Sequence, residues 1–162
     1  MSAVRFAALV ALVVWVGGMI TLGLLVAPST FRLLQAQDPA NGRVLAGALF
    51  GDILRRFYLL GYGCGAVILL SLVIQKLAGA PPKQFLLRAA IVVAMLALSA
   101  YAGGPVSGEI AQLQSRVTGP MTALPDADPT RMRFDTLHAR STRLMVVNMA
   151  LGLLLLAWYA HE

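Results

Sequence analysis

The charged residues divide this chain into blocks. No Asp, Glu, Lys or Arg falls in residues 6–31, 57–75, 89–108 or 144–160, runs of 26, 19, 20 and 17 residues. A bilayer-spanning helix needs about 20 mostly apolar residues, within a range of about 17–25. The pattern therefore predicts four spans, at about 4–26, 57–75, 86–104 and 143–160, in one domain covering residues 1–162. The expected fold class is all-α: an integral membrane four-helix bundle.

The polar positions set the ends of these elements. Helix 1 is expected to stop at Ala27-Pro28-Ser29, because a proline pushes the preceding residue out of helical geometry. Its apolar run is too long for the roughly 7–15 residues of a signal-peptide core, so it reads as a retained helix. Residues 43–56 predict an amphipathic helix leading into helix 2. Ala46, Leu49, Phe50, Ile53, Leu54 and Phe57 fill one side, and Asp52, Arg55 and Arg56 share the other. Residues 79–83 read as a short loop, followed by helix 3 over about 84–103. Residues 105–128 are the least regular, with a short helical stretch at about 107–117. Asp128-Pro129-Thr130 is a helix-start signal, so helix 4 should begin well outside the membrane and extend to about Tyr159.

Composition agrees. Of the 162 residues 59% are hydrophobic and 12% charged, against about 45–50% and 25% in an ordinary soluble domain. The mean hydropathy is +0.77. A net charge of +6 would suggest nucleic acid in a soluble protein. Here the Lys and Arg flank membrane spans, so the bilayer and its anionic headgroups are the expected partner and nucleic acid is not. Nine Lys or Arg lie in the two longer connections and four on the side of the termini. Six carboxylates share those connections, so the count leaves the orientation open. Cys64 is the one cysteine and can form no internal disulfide.

Two sets of residues stand out. Gly47/Gly51, Gly61/Gly65 and Gly104/Gly108 are spaced by four, which lets helices approach closely, within the bundle or between copies. Trp15, Gly17, Gly18, Gly61, Gly65 and Gly104 are the expected packing residues. On helix 4, Phe134, His138, Ser141, Met145, Asn148 and Gly152 project within one narrow stripe, while Arg133, Arg140 and Arg143 fall on the far face. Polar groups facing lipid are costly, so this stripe should point inward and is the candidate ligand or ion site. His138 is its one imidazole, a side chain that can ligate a metal or carry a proton.

Enzymatic readings do badly. HExxH, a Walker loop, a nucleophile elbow and paired intramembrane carboxylates are all missing from the sequence. Met145 and Met149, one turn apart, are the spacing a soft metal would use, but such pairs in apolar helices usually pack. No cofactor or metal is implied, and the chain does not read as an enzyme.

Four local patterns occur in order: Trp15-x-Gly17-Gly18; Pro28-x-x-Phe31; Ala46-Gly47-x-Leu49-Phe50 leading into Tyr58; and Phe134-x-x-Leu137-His138-x-x-Ser141. Together they resemble the transmembrane protein 205-like family, domain of unknown function 4149, over residues 7–158. The Trp-x-Gly-Gly element is also similar, more loosely, to the copper-resistance protein D-like membrane domain. The resemblance implies a small four-helix membrane protein, in a bacterial cytoplasmic membrane, with an association to metal or metallodrug tolerance in eukaryotic members. The family pattern places an Asn seven residues after the His; here that position is Met145, and Asn148 follows three residues later.

Two functions compete on this reading. One is a protein that handles a solute, metal ion or lipophilic compound within its bundle. The other is an accessory or scaffold subunit of a homo-oligomer or larger membrane complex, without a ligand of its own. Dependence on His138 favours the first, and dependence on glycine faces the second.

Overall fold

A computed structural model of the chain describes residues 3–79 and 82–161. Four long helices dominate it: α1 (Ala3–Gln37), α2 (Gly42–Leu77), α3 (Phe85–Ser115) and α4 (Pro129–Ala160). All four are long and apolar enough to cross a membrane. In sequence order the neighbours pack on one another, and α1 closes the ring against α4. The result is an up-down-up-down bundle. Leu12, Trp15, Val16, Ile68, Leu72, Val92, Met95 and Leu155 form its core. The outer faces are equally apolar: Val13, Leu59, Leu60, Leu70, Val93, Leu153 and Leu154 all point outward. Lipid on the outside imposes that pattern.

At 1.5 Å per residue, helices of 31–36 residues are about 46–54 Å long, well beyond a hydrocarbon core of about 30 Å. The excess lies at one end. There the charge-bearing parts of all four helices extend past their uncharged runs toward the connections at 38–41 and 116–128. The expected overhang of helix 4 is thus shared by every helix. The amphipathic segment is the unbroken first part of α2. Its Ala46 is buried, and Phe50 meets Phe31 edge-on at 6.5 Å, but Leu49 is exposed rather than packed.

Two expected helix ends need correction. Pro28 does not stop helix 1, and helix 3 does not end at Gly103. Proline in a helix removes a donor and clashes with the carbonyl four residues back. Each helix absorbs this with one wider π turn, at Leu22–Val26 in α1 and at Ala102–Val106, around Pro105, in α3. In the first, the Ala27 amide donates to the Leu22 carbonyl, five residues back. In the second, the Ser107 hydroxyl donates to the Ala102 carbonyl at 2.7 Å.

Other boundaries agree with the sequence. Asp128 caps α4, its Oδ1 accepting from the amides of Thr130 (2.7 Å) and Arg131 (3.3 Å). These bonds hold the Asp128 carboxyl below its ordinary range. Asp38 does the same for the α1–α2 turn, its Oδ1 accepting from Ala40 and Asn41 at 3.0 Å each. Of the expected loop at 79–83, Ala80 and Pro81 lie outside the described residues.

The packing glycines divide. A Cβ at Gly61 would lie 2.8 Å from the Trp15 Nε1, one at Gly65 would lie 2.5 Å from Leu96, and one at Gly18 would strike the Phe57 ring. Gly17 and Gly104 meet nothing within 4 Å, so neither packs as expected. Gly103 and Gly152 take such roles instead, against Tyr58 and Val16. Gly61 and Gly65 are thus used inside the chain.

Four antiparallel spans put both ends of the chain on one face of the membrane. Reporter fusions at the two ends should read the same compartment, and opposite readings would mean a miscounted span. Within α1 and α2, Gly61→Ala should cost about 1–3 kcal/mol through overpacking on Trp15. Gly17→Ala should be neutral or stabilising by about 0.5–1 kcal/mol. Reversible denaturation in detergent measures both.

Candidate functional site

At the centre of the bundle all four helices contribute to one small cavity of about 20 Å³. Trp15 and Met19 come from α1, Phe57 and Tyr58 from α2, Ser99 and Ala102 from α3, and Met145 and Asn148 from α4. That volume is room for about one water molecule. The polar edge is made by a pair. Asn148 is 4% exposed and its Nδ2 donates to the Ser99 Oγ at 2.8 Å. The Asn148 Oδ1 is buried and has no hydrogen-bond partner among the described residues. A buried carbonyl oxygen left this way costs about 1–3 kcal/mol, so it is a group waiting for a donor. Tyr58 of α2 lines the same cavity as Ser99 and Asn148.

The expected stripe on α4 is split by the structure. Asn148 and Gly152 are buried, and Ser141 and Met145 are half-buried. His138 is exposed, its ring stacked on Phe134 at 6.1 Å and 8°. It lies ten residues before Asn148, about 15 Å along the helix, in the part of α4 that overhangs. There the neighbouring helices leave room for solvent. The inward reading of His138 is thus corrected, and the site centres on Asn148. Among the described residues no three His, Cys, Asp or Glu side chains cluster as a metal site would require.

Sequence reasoning missed Ser99, Tyr58 and Arg88. Ser99 and Tyr58 are polar groups within uncharged runs, and such groups seek partners across the bundle; that signal was available without naming the partner. Arg88 read as a flank of helix 3. It is 1% exposed, with its guanidinium 5.2 Å from the Trp158 ring and 5.0 Å from the Tyr159 ring, a cation–π arrangement at the bundle's other end.

Asn148 and Ser99 should behave as a coupled pair. A double-mutant cycle with Asn148→Ala and Ser99→Ala in detergent should give about 0.6 kcal/mol of coupling, the average between membrane helices. His138→Ala paired with Ser99→Ala should give none. Coupling at His138 instead would contradict the packing described.

A family model described as Domain of unknown function (DUF4149) matches residues 10–116. This covers α1 from residue 10 onward and all of α2 and α3, and ends before α4, which supplies Asn148. No characterised protein and no solved structure gives a significant match. With 107 of its 162 residues matched, the chain belongs to the DUF4149 family.

Proposed function

We propose that this membrane protein binds a small, uncharged, hydrogen-bond-donating solute between its helices, as a binding or transfer protein rather than an enzyme. The observation that carries the reading is the Asn148 Oδ1, buried without a partner at a cavity lined from all four helices. The lining holds no Asp, Glu, Lys, Arg or His, so nothing there would offset the cost of burying an ion. It combines one carboxamide oxygen with Trp15, Phe57, Met19 and Met145, surfaces suited to a partly apolar molecule. A ligand larger than water has to displace side chains, and the two methionines are the flexible ones. The π turns of α1 and α3 lie close by: Gly23, within the first, is against Met145, and Gly103, within the second, is against Tyr58. Such turns are frequent at functional sites. We further propose a bacterial cytoplasmic membrane as its location.

An accessory role rests on a different observation. Gly51, Gly104 and Gly108 meet nothing within 4 Å and leave small-residue surface open to another chain. On that reading changes at Asn148 alter no ligand response.

Trp15 reports on the cavity directly, and a Trp158→Phe background leaves it as the single tryptophan. Acrylamide, an uncharged amide donor, should quench Trp15, while iodide should not. Adding Asn148→Leu should lower acrylamide quenching about threefold, the equivalent of one membrane hydrogen bond. Quenching that ignores Asn148, or that iodide matches, would count against the proposal.

A further inference from the structure

Among the described residues the carboxylates are already committed. Asp52 holds Arg55 and Arg56 at 2.7 and 2.8 Å, and both oxygens of Glu109 hold Arg133 at 2.6 and 3.0 Å. Arg131 takes Asp126 at 2.6 Å and Asp135 at 3.9 Å. Asp38 and Asp128 cap a turn and a helix. Arg140 and Arg143 form no ion pair among the described residues, and both are exposed. Arg140 lies near enough to feel Glu109, but Arg133 occupies that carboxylate.

Their position makes this informative. Arg143 immediately precedes the uncharged run 144–160, and Val146 and Val147, one turn deeper, are 52% and 49% exposed. This face of α4 therefore enters the acyl region just below Arg143. Arg140 is one turn further out, and its Nη1 donates to the hydroxyl of exposed Tyr101 on α3 at 3.3 Å. Two guanidinium groups three residues apart on a helix are neighbours. With a phenol beside them, at the depth of the headgroups, they offer a set of donors that matches phosphate oxygens.

We propose that Arg140, Arg143 and Tyr101 form a binding site for the phosphate of an anionic phospholipid at the leaflet on the arginine-rich side. The lipid supplies the counter-ion that the protein's own carboxylates do not, and its acyl chains lie along Val146 and Val147. Free phosphate offers the same oxygens without the apolar contact, so the two sources are separable.

The test is lipid retention by the full chain in detergent, read by native mass spectrometry after incubation with equimolar phosphatidylglycerol and phosphatidylcholine. Retention of phosphatidylglycerol should exceed that of phosphatidylcholine by about five- to thirtyfold, since each of the two basic residues at an anionic surface is worth a factor of about five. Arg140→Gln with Arg143→Gln should abolish the preference, and Arg116→Gln, an exposed arginine of the 116–128 connection, should leave it intact. If the double variant fails to insert, Arg143→Gln alone should lower the preference severalfold. Equal retention of the two lipids, or a preference untouched by the arginine changes, overturns the proposal. So does inorganic phosphate that competes phosphatidylglycerol off at millimolar concentration, which would make this a free-anion site.

Discussion

Every backbone amide and carbonyl inside the bilayer must find its partner within its own helix, because lipid offers none. That constraint organises this molecule. It makes each uncharged run a continuous helix, and it explains how two prolines are accommodated. Pro28 and Pro105 each lie within or just after a π turn that keeps the helix hydrogen-bonded while making space for the ring. Both turns fall toward the arginine-rich end of the bundle, beside the Tyr58 and Met145 that border the central cavity. Local irregularity of the backbone and polarity of the interior thus coincide in space.

The interior is held by shape more than by polarity. Gly61 accepts the Trp15 indole, Gly65 accepts Leu96 and Gly152 accepts Val16, so helices approach wherever a side chain is missing. Lipid tails are as apolar as leucine, and close packing is what makes a helix prefer its neighbour to lipid. Against that background the Asn148–Ser99 pair stands out. It links α4 to α3 through a buried hydrogen bond and leaves one carbonyl oxygen without a donor.

At the overhanging end the logic reverses. Water is available there, and charges are paired across helices, as in the Glu109–Arg133 fork that ties α3 to α4. Two of the arginines left over from this pairing, Arg140 and Arg143, lie on the last turns of α4 before its uncharged run. His138 belongs to this zone: it shares a helical stripe with Asn148 yet lies on an open surface.

The sequence by itself determined how many helices cross the membrane, roughly where, and how α4 begins. Span length and charge exclusion are local properties, and the Asp128 cap needs only the two amides that follow it. It did not determine which faces turn inward. In a lipid-surrounded bundle the buried and exposed faces are equally apolar, so periodicity carries little contrast, and Gly61 could not be told from Gly104. Nor could it say that Pro28 would be bridged by a π turn, or that His138 and Asn148 would part company. The tertiary structure decided those. Burial at a given height depends on which neighbouring helix is still present there, and only packing brings Ser99, Tyr58 and Asn148 from three helices to one cavity.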